Sequence, residues 1–434
     1  MKKGLGALLC LLAINTTASA LTTDEQQLNR TIEKNMPAQL ELLKQSVNIN
    51  SGSRNIEGVK QVAELYTPFL KKLGFSTQWI DLKNQVNRAG HLVAVKHGDP
   101  KGKRILLIGH LDTVFEKDHP LQAYRRKDNY AYGPGVSDMK GGNAVMLFAL
   151  KALDQNKKLQ AANITVVLIG DEESSGKPLT ISRKVLREEA KKNDIALGFE
   201  NAENLTEVVT ARRGFASWQM SVKARGGHSS LIFTPQFQEG AILGLSELLL
   251  EMKKITEEIP GMTFNPGIIA GGTVLDVNDK SLAASTSGKE NIIAQAAISK
   301  GEMRFLHNDD IGRLQKKILI KISNLPSPLQ GRLIINKENI MPAMEPSKRN
   351  ENLFKLLAKV NKSLGLGQLK SHNPRFRGGA DISYVSDKVA AVDGLGAVGG
   401  NEHSPQEFMD IAQTKLATKR AAFLLNSLLK TELH

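Results

Sequence analysis

The sequence lacks several features that mark whole classes of proteins. It has one cysteine, Cys10, among 434 residues, which excludes an intramolecular disulfide and a cysteine-based zinc cluster. With 37 glycines and 15 prolines, the chain is neither collagen-like nor of low complexity. No apolar run approaches the ~18–20 residues of a membrane-spanning helix. The chemistry of the protein must therefore come from histidine, aspartate, glutamate, arginine and the backbone.

Aromatic residues are also scarce, at 5% of the chain, whereas the formal net charge is +14. Such a charge attracts nucleic acids or anionic surfaces. However, the basic residues form short scattered clusters, and few aromatic side chains are available to stack on bases. We expect no nucleic-acid partner and attribute most of the charge to solvated surface.

The N-terminus has the three regions of an export signal. Met1–Lys3 is basic, an apolar run extends from Leu5 to Ile14, and Ala18-Ser19-Ala20 is a small-x-small cleavage site. A buried first helix is the alternative. We expect cleavage after Ala20 and a periplasmic or secreted mature protein without cysteine.

The pattern of the elements changes twice along the chain. Short apolar strands and amphipathic helices, one of them predicted from Pro178 to Lys192, alternate before residue 210. This alternation favours a doubly wound parallel sheet. From 211 to 340 we predict a smaller α+β unit, after which the first pattern resumes. A chain of 434 residues also exceeds the ~250–300 at which one core usually divides. We therefore predict an α/β fold with an inserted domain, divided into a signal peptide (1–20), a catalytic domain (21–210 and 341–434) and the insertion (211–340).

Acidic and histidine residues follow three predicted strands, 104–109, 163–170 and 195–199, and one occupies a glycine-rich turn before a helix. In open α/β sheets, ligands bind at the carboxyl ends of the strands. Zinc accepts imidazole and carboxylate ligands, and a carboxylate can bridge two ions about 3.5–4 Å apart. The pattern indicates a two-metal site, with solvated surface charge as the alternative. The candidates are His110, Asp112, Asp138, Glu172, Glu173 and Glu200.

The spacing within this set also suggests separate roles. His110 and Asp112 lie on the same side of an extended segment, so Asp112 can orient the imidazole. Glu172 and Glu173 face opposite ways if their segment is extended, so one can bind metal while the other carries protons.

Several motifs together resemble the co-catalytic zinc exopeptidases, a group of glutamate carboxypeptidases (carboxypeptidase G type), dipeptidases, aminoacylases and desuccinylases. The resemblance extends from about residue 25 to 430. It implies a lid or dimerisation role for the ferredoxin-like insertion. The motifs are His110-Leu-Asp-Thr-Val114, Gly133-Pro-Gly-x-x-Asp138-Met-Lys-Gly-Gly142, Asp171-Glu-Glu173 with Gly176, and His403-Ser-Pro-Gln-Glu407.

The resemblance implies two zinc ions per chain, bridged by Asp138. It also implies that Asp112 orients His110, that Glu172 is the general base, and that the Asp138–Met139 peptide bond is cis. The implied ligands are His110, Asp138 and Glu200 for one zinc, and Asp138, Glu173 and His403 for the other.

The insertion carries a second set of family-like residues. His228, in Gly226-Gly-His-Ser-Ser230, resembles a histidine that polarises the scissile carbonyl from the partner subunit. Arg304 is similar to an arginine that clamps the substrate α-carboxylate, and Asn291 matches a substrate contact. Packing or surface roles are the alternatives. Residues 274–290 form an expanded loop by sequence, and Arg212-Arg213 either adds charge near the site or lies on hinge surface.

Together these features predict an exported di-zinc exopeptidase most like a glutamate carboxypeptidase, working as a homodimer paired through the insertion. It would release a C-terminal amino acid from a peptide or N-acyl conjugate. An N-acyl-amino-acid deacylase or a dipeptidase of the same family is one alternative. A non-catalytic envelope-binding protein that retains only the fold is another.

Overall fold

The protein is described by a computed structural model over residues 21–278 and 283–430. The expected signal peptide, residues 1–20, lies outside the described residues. Within the described ranges, no helix combines the length and the apolar character needed to cross a membrane.

The described residues form ten α-helices. They are α1 (Thr23–Val47), α2 (Ile56–Lys72), α3 (Lys83–Val86), α4 (Lys140–Gln155), α5 (Leu179–Ser182), α6 (Lys184–Ala190), α7 (Gly240–Glu257), α8 (Asp310–Ser323), α9 (Lys348–Ser363) and α10 (Ile411–Leu429).

The same residues form eighteen strands, most of them short. They are β1 (Ser76–Asp81), β2 (Gly90–Lys96), β3 (Arg104–His110), β4 (Arg125–Lys127), β5 (Tyr130–Tyr132), β6 (Asn163–Ile169), β7 (Ile195–Gly198), β8 (Glu207–Val208), β9 (Gly214–Lys223), β10 (Thr263–Gly272), β11 (Val274–Val277), β12 (Ala284–Ser287), β13 (Ala296–Phe305), β14 (Gln330–Ile335), β15 (Lys370–Ser371), β16 (Ala390–Val392), β17 (Gly399–Gly400) and β18 (Phe408–Asp410).

The central sheet has six strands in the order β1-β2-β6-β3-β7-β16. From β6 to β16 the neighbours run parallel, and β1 and β2 add antiparallel pairing at one edge. Along β3, Ile105 and Leu107 join the core formed with α2, α4 and α10, while Leu106 and Ile108 join the core on the opposite face. Both faces are therefore covered, and the α/β fold class is confirmed.

The insertion forms a second sheet, β10-β13-β9-β14, which is antiparallel throughout. Alternate residues of β9, such as Ala216 and Trp218, pack under α7 and α8 around Leu245 and Leu314. We call the face of the sheet that does not pack on α7 and α8 its open face. We call this unit the lid; the boundaries assigned to it at 211 and 340 remain predictions.

Two segments differ from the sequence-based prediction. A single helix was expected from Pro178 to Lys192, but the chain forms α5 and α6 with a break at Arg183, whose side chain is drawn into the core by Asp171 and Asp381. The expanded segment 274–290 contains the hairpin β11–β12 rather than loop alone. In the first case a contact with a distant segment, that of Asp381, decides the local structure.

Candidate metal and proton-transfer site

The carboxyl ends of three parallel strands meet at one edge of the central sheet. His110 ends β3, Glu172 and Glu173 follow β6, and Glu200 follows β7. The glycine-rich turn before α4 adds Asp138 to the same edge. His110 is the last residue of its strand and the three glutamates follow within four residues of one, so the sheet brings them to this edge.

His110, Asp138 and Glu200 form the first of two groups with the composition of a metal site. His110 Nε2 lies 3.2 Å from Asp138 Oδ1 and 3.8 Å from Glu200 Oε1. In each of the two groups, the three candidate ligand atoms all lie within 4.8 Å of one another. An imidazole with two carboxylates at this spacing is a donor set that zinc accepts.

Asp138 also belongs to the second group, with Glu173 and His403. His403 Nε2 lies 3.3 Å from Asp138 Oδ2 and 3.2 Å from Glu173 Oε2. The two oxygens of Asp138 therefore face different groups, as a bridging carboxylate requires. His403 has a φ of 61°, a left-handed conformation that is unusual for a residue other than glycine and that recurs at functional sites.

The electrostatics of both groups favour a bound cation. Burial and the neighbouring Asp138 raise the pKa of Glu173 and hold that of Glu200 well above its usual value. Hydrogen bonds to Asp138 and Glu173 raise the pKa of His403 to about 11. Glu173 Oε1 is buried and has no hydrogen-bond partner in the described ranges. The clustered carboxylates thus favour a positive charge between them, supplied either by bound protons or by a metal ion.

Asp112 connects the first group to the segment that carries Glu172. Its Oδ1 lies 3.4 Å from His110 Nδ1, and its two oxygens accept the backbone N–H groups of Glu172 and Glu173 at 3.0 and 3.1 Å. Ser53 Oγ donates a further bond of 2.6 Å. Asp112 is completely buried and contacts both the imidazole and the acidic segment; that it orients His110 remains a prediction.

Glu172 occupies the position expected of the general base. Burial, together with the nearby Asp381 and Glu200, holds its pKa well above the usual value for a glutamate. The backbone N–H of Glu172 donates to Asp112, and this bond fixes the position of the Glu172 backbone next to the two ligand groups. Its role as a base remains a prediction.

Glu407 holds the glycine-rich turn, a role that the sequence did not indicate. Its carboxylate accepts the N–H groups of Gly135, Ser137 and Asp138 at 3.0, 2.8 and 3.0 Å. The Asp138–Met139 peptide bond is cis, as the resemblance implies. Glu407 and His403 belong to the same motif, His403–Glu407. This motif therefore contributes both a candidate ligand and the carboxylate that holds the turn of Asp138.

Two buried arginines pair with aspartates that lie next to the candidate site. Arg183 donates to Asp171 and Asp381 at 2.7 Å each, which fixes the start of the segment containing Glu172. Arg212 donates to Asp393 at 2.9 Å, and Asp393 accepts the Glu200 N–H at 3.4 Å. Arg212 is only 3% exposed, so the hinge-surface alternative is wrong for this residue.

A third group, Glu203, Glu207 and His372, has its candidate ligand atoms within 4.8 Å of one another. Arg377 Nη1 lies 3.5 Å from Glu203 Oε1, so a guanidinium already supplies positive charge there. We assign no metal to this group.

Comparison of the sequence with known protein families also indicates a metallopeptidase. The model of peptidase family M20/M25/M40 matches residues 106–427. This chain belongs to that family. It is therefore an enzyme of the metallopeptidase and amidohydrolase class.

Individual relatives span different shares of the chain. Carboxypeptidase G2 from Pseudomonas sp. (strain RS-16) is 28% identical over 397 residues, which are 90% of this chain and 89% of that protein. Acetylornithine deacetylase from Vibrio campbellii is 28% identical over 50% of this chain and 57% of its own length. The solved structure of aminopeptidase PepT from Bacillus cereus aligns with a TM-score of 0.74 at 16% identity, over 91% of this chain and 99% of that one.

Three lid residues were expected to act at the candidate metal site. Within the described residues, no hydrogen bond or ion pair joins them to that site. His228 and Asn291 are exposed, and the nearest partner of the His228 ring is Ser230, at 2.8 Å. Arg304 pairs with Glu302 at 2.6 Å on the open face of the lid sheet. Their substrate-binding and catalytic roles remain predictions.

Proposed function

We propose that this enzyme is a glutamate-type carboxypeptidase that hydrolyses the terminal amide bond of a peptide or N-acyl amino acid, with two zinc ions per chain. The observation that carries the proposal is the pair of ligand groups sharing Asp138 beside the buried Glu172. We also propose a periplasmic or secreted location, supported by the signal-like pattern of residues 1–20.

Two zinc ions, when bound, would polarise the scissile carbonyl and activate water at neutral pH. His110, Asp138 and Glu200 would hold one ion, and Asp138, Glu173 and His403 the other. Glu172 accepts the proton of the attacking water as the carbon–oxygen bond forms, then delivers it to the departing nitrogen as the amide bond breaks. Asp112 keeps Glu172 in place through the backbone N–H that it accepts.

We further propose that the working unit is a homodimer formed through the lid. Ile242, Leu243 and Leu250 of α7 are exposed, as are Ile269 of β10 and Val274 of β11. A second copy of the chain would cover such a patch and pair the open edge of the lid sheet. His228 would then reach the partner's site and stabilise the oxyanion, while Arg304 would hold the substrate α-carboxylate.

The second candidate is an N-acyl-amino-acid deacylase, supported by the similarity to acetylornithine deacetylase. Both reactions cut an amide next to an amino acid with a free carboxylate. They differ in which part of the substrate the enzyme selects, so a substrate panel separates them.

The test is hydrolysis of a panel of dipeptides and N-acyl amino acids by zinc-reconstituted enzyme, with Glu172→Gln as the matched control. We expect the highest kcat/KM for substrates that end in glutamate, and a rate ~10²–10⁴-fold lower in the control with metal content unchanged. A preference for acetylated amino acids regardless of side chain would favour the deacylase. If every compound stayed intact with two metals bound, or if Glu172→Gln kept full activity, the proposal would be wrong.

A further inference from the structure

Three arginine side chains converge where the lid meets the catalytic unit. We call Arg213, Arg304 and Arg375 the arginine cluster. Arg213 Nη1 donates to Thr263 Oγ1 at 3.1 Å, and Thr263 is the residue directly opposite Arg304 in the pairing of β10 with β13. Arg213 Nη2 donates to the carbonyl oxygen of Arg375 at 3.1 Å. One guanidinium therefore contacts both sides of the junction.

Arg213 is buried without a carboxylate of its own. The residue is 9% exposed, its Nε has no hydrogen-bond partner, and no ion pair reaches it from the described residues. Burial and the positive charges of Arg304 and Arg375 lower its pKa. Glu302, the acidic residue nearby, already pairs with Arg304 at 2.6 Å.

This arrangement leaves the arginine cluster with more positive than negative charge. A cation removed from water needs a counter-charge, because the loss of its hydration costs roughly several kcal/mol of free energy when no anion compensates for it. Arg212, the preceding residue, is 3% exposed and has Asp393 at 2.8 Å. The contrast between the two neighbours indicates that the missing partner of Arg213 is an anion that comes from outside the chain.

The loop that carries Arg375 is tied to the segment that carries a candidate metal ligand. Arg375 belongs to the loop that contains Arg377 and Gly378. Arg377 Nη2 donates to the carbonyl oxygen of Asn201 at 3.0 Å, and Asn201 directly follows the candidate ligand Glu200. Arg212 Nη1 donates to the carbonyl oxygen of Gly378 at 2.8 Å. The loop is thus anchored beside the Glu200 edge of the site.

We propose that Arg213 and Arg375 form a subsite for a second carboxylate of the substrate, the one on the side chain of the released amino acid. This inference rests on the proposed function, in which Arg304 holds the α-carboxylate. A planar guanidinium can bind a carboxylate through two parallel hydrogen bonds, and an acidic side chain would supply the charge that Arg213 lacks. The substrate class is then an N-acyl or peptidyl acidic amino acid.

The test compares N-acyl-glutamate with N-acyl-glutamine, which differ in charge and little in shape. For the unmodified enzyme we expect a higher kcat/KM with glutamate, owing mainly to a lower KM. Arg213→Gln and, separately, Arg375→Gln should reduce this preference ~10–100-fold while sparing the glutamine substrate. Arg213→Lys should restore part of it. Arg375 is exposed, so its variant tests the subsite even if Arg213→Gln folds poorly.

Arg313→Gln is the control, because Arg313 is an exposed arginine of α8 that pairs with Asp310 and does not belong to the arginine cluster. It should leave the preference unchanged. A preference for glutamate that persists in both cluster variants would overturn the subsite while leaving the proposed function intact.

Calorimetry of free glutamate and glutamine with zinc-loaded Glu172→Gln protein gives a readout that does not depend on turnover. Tighter binding of glutamate that is lost on adding Arg375→Gln supports the subsite even if no panel substrate is cleaved. Equal binding of both amino acids would overturn it.

Discussion

The catalytic edge and the lid present their functional groups in opposite ways. At the catalytic edge, the candidate residues are buried or partly buried, apart from the exposed His403. Other side chains contact several of them: Asp112 lies beside His110, and Glu407 accepts the N–H groups of the turn that carries Asp138. In the lid, His228 and Asn291 are exposed, and the loops that carry them bond to each other. One chain therefore brings the candidate metal and proton-transfer groups together, whereas no hydrogen bond or ion pair joins these two lid residues to that edge within the described residues.

The ion pairs differ in the same way. Those behind the catalytic edge, such as Arg183 with Asp171 and Asp381, have side chains with at most 3% exposure. Those of the lid helices, such as Lys317 with Glu258, have side chains that are 49% and 62% exposed. Breaking a buried pair leaves an unsolvated charge, whereas breaking an exposed pair exchanges one solvated state for another.

Asp138 tests whether one residue serves both metal groups. Asp138→Ala should lose both zinc ions and all measurable activity, because each of its oxygens faces a different group. Glu173→Ala is the matched control, since Glu173 belongs to one group, and should lose one ion. Metal content after dialysis of zinc-loaded protein is the measurement. Retention of two ions in Asp138→Ala would contradict a bridging role.

The residues that the strand pattern and the family resemblance predict as ligands do come together in two groups, but the sequence did not predict what holds them. His110, Glu173 and Glu200 were found because parallel strands bring their carboxyl ends to one edge of the sheet, and strands are visible as apolar runs. The supports depend on pairs far apart in the chain: Arg183 with Asp381 across 198 residues, Arg212 with Asp393 across 181, and Glu407 with Gly135 across 272. No local pattern encodes such pairs, so Arg183 was read only as part of a helix.

Arg183→Met tests the support behind the catalytic edge. The substitution leaves Asp171 and Asp381 buried without a counter-charge, so the free energy of unfolding should fall by ~3–5 kcal/mol. Urea denaturation followed by circular dichroism measures it.

The matched control is Arg187→Met. Arg187 stacks on the same ring, Tyr384, at 5.6 Å from the centroid, whereas Arg183 lies at 5.7 Å, but Arg187 is exposed. It should cost less than ~1 kcal/mol, the value of an exposed cation–π contact. Equal losses in the two variants would show that stacking, not the buried ion pairs, makes Arg183 important.

His228 tests whether the lid acts on the partner's site. His228→Ala should lose ~2.7–4 kcal/mol of transition-state stabilisation, a drop of about 10²–10³-fold in kcat. His307→Ala, a lid histidine paired with Glu345, is the control and should change little.

Mixing His228→Ala with Glu172→Gln after dissociation then separates the two arrangements. In a heterodimer, one site combines an intact Glu172 with the partner's intact His228. Activity should rise to about half of the unmodified level per heterodimer. A mixture that exchanges subunits but stays inactive would place the action of His228 within its own chain or remove it from the reaction.

Lys317→Met gives the smallest effect and completes the contrast between buried and exposed ion pairs. Lys317 Nζ lies 2.6 Å from Glu258 Oε2, a shorter distance than in either Arg183 pair, yet both side chains are largely solvated. Water and salt screen the attraction, so the free energy of unfolding should change by only ~0.2–1 kcal/mol and less still at high salt. Lys316→Met is the control, because Lys316 is exposed on the same helix and has no ion-pair partner among residues 21–278 and 283–430. If Lys317→Met cost as much as Arg183→Met, distance rather than burial would govern the strength of these pairs.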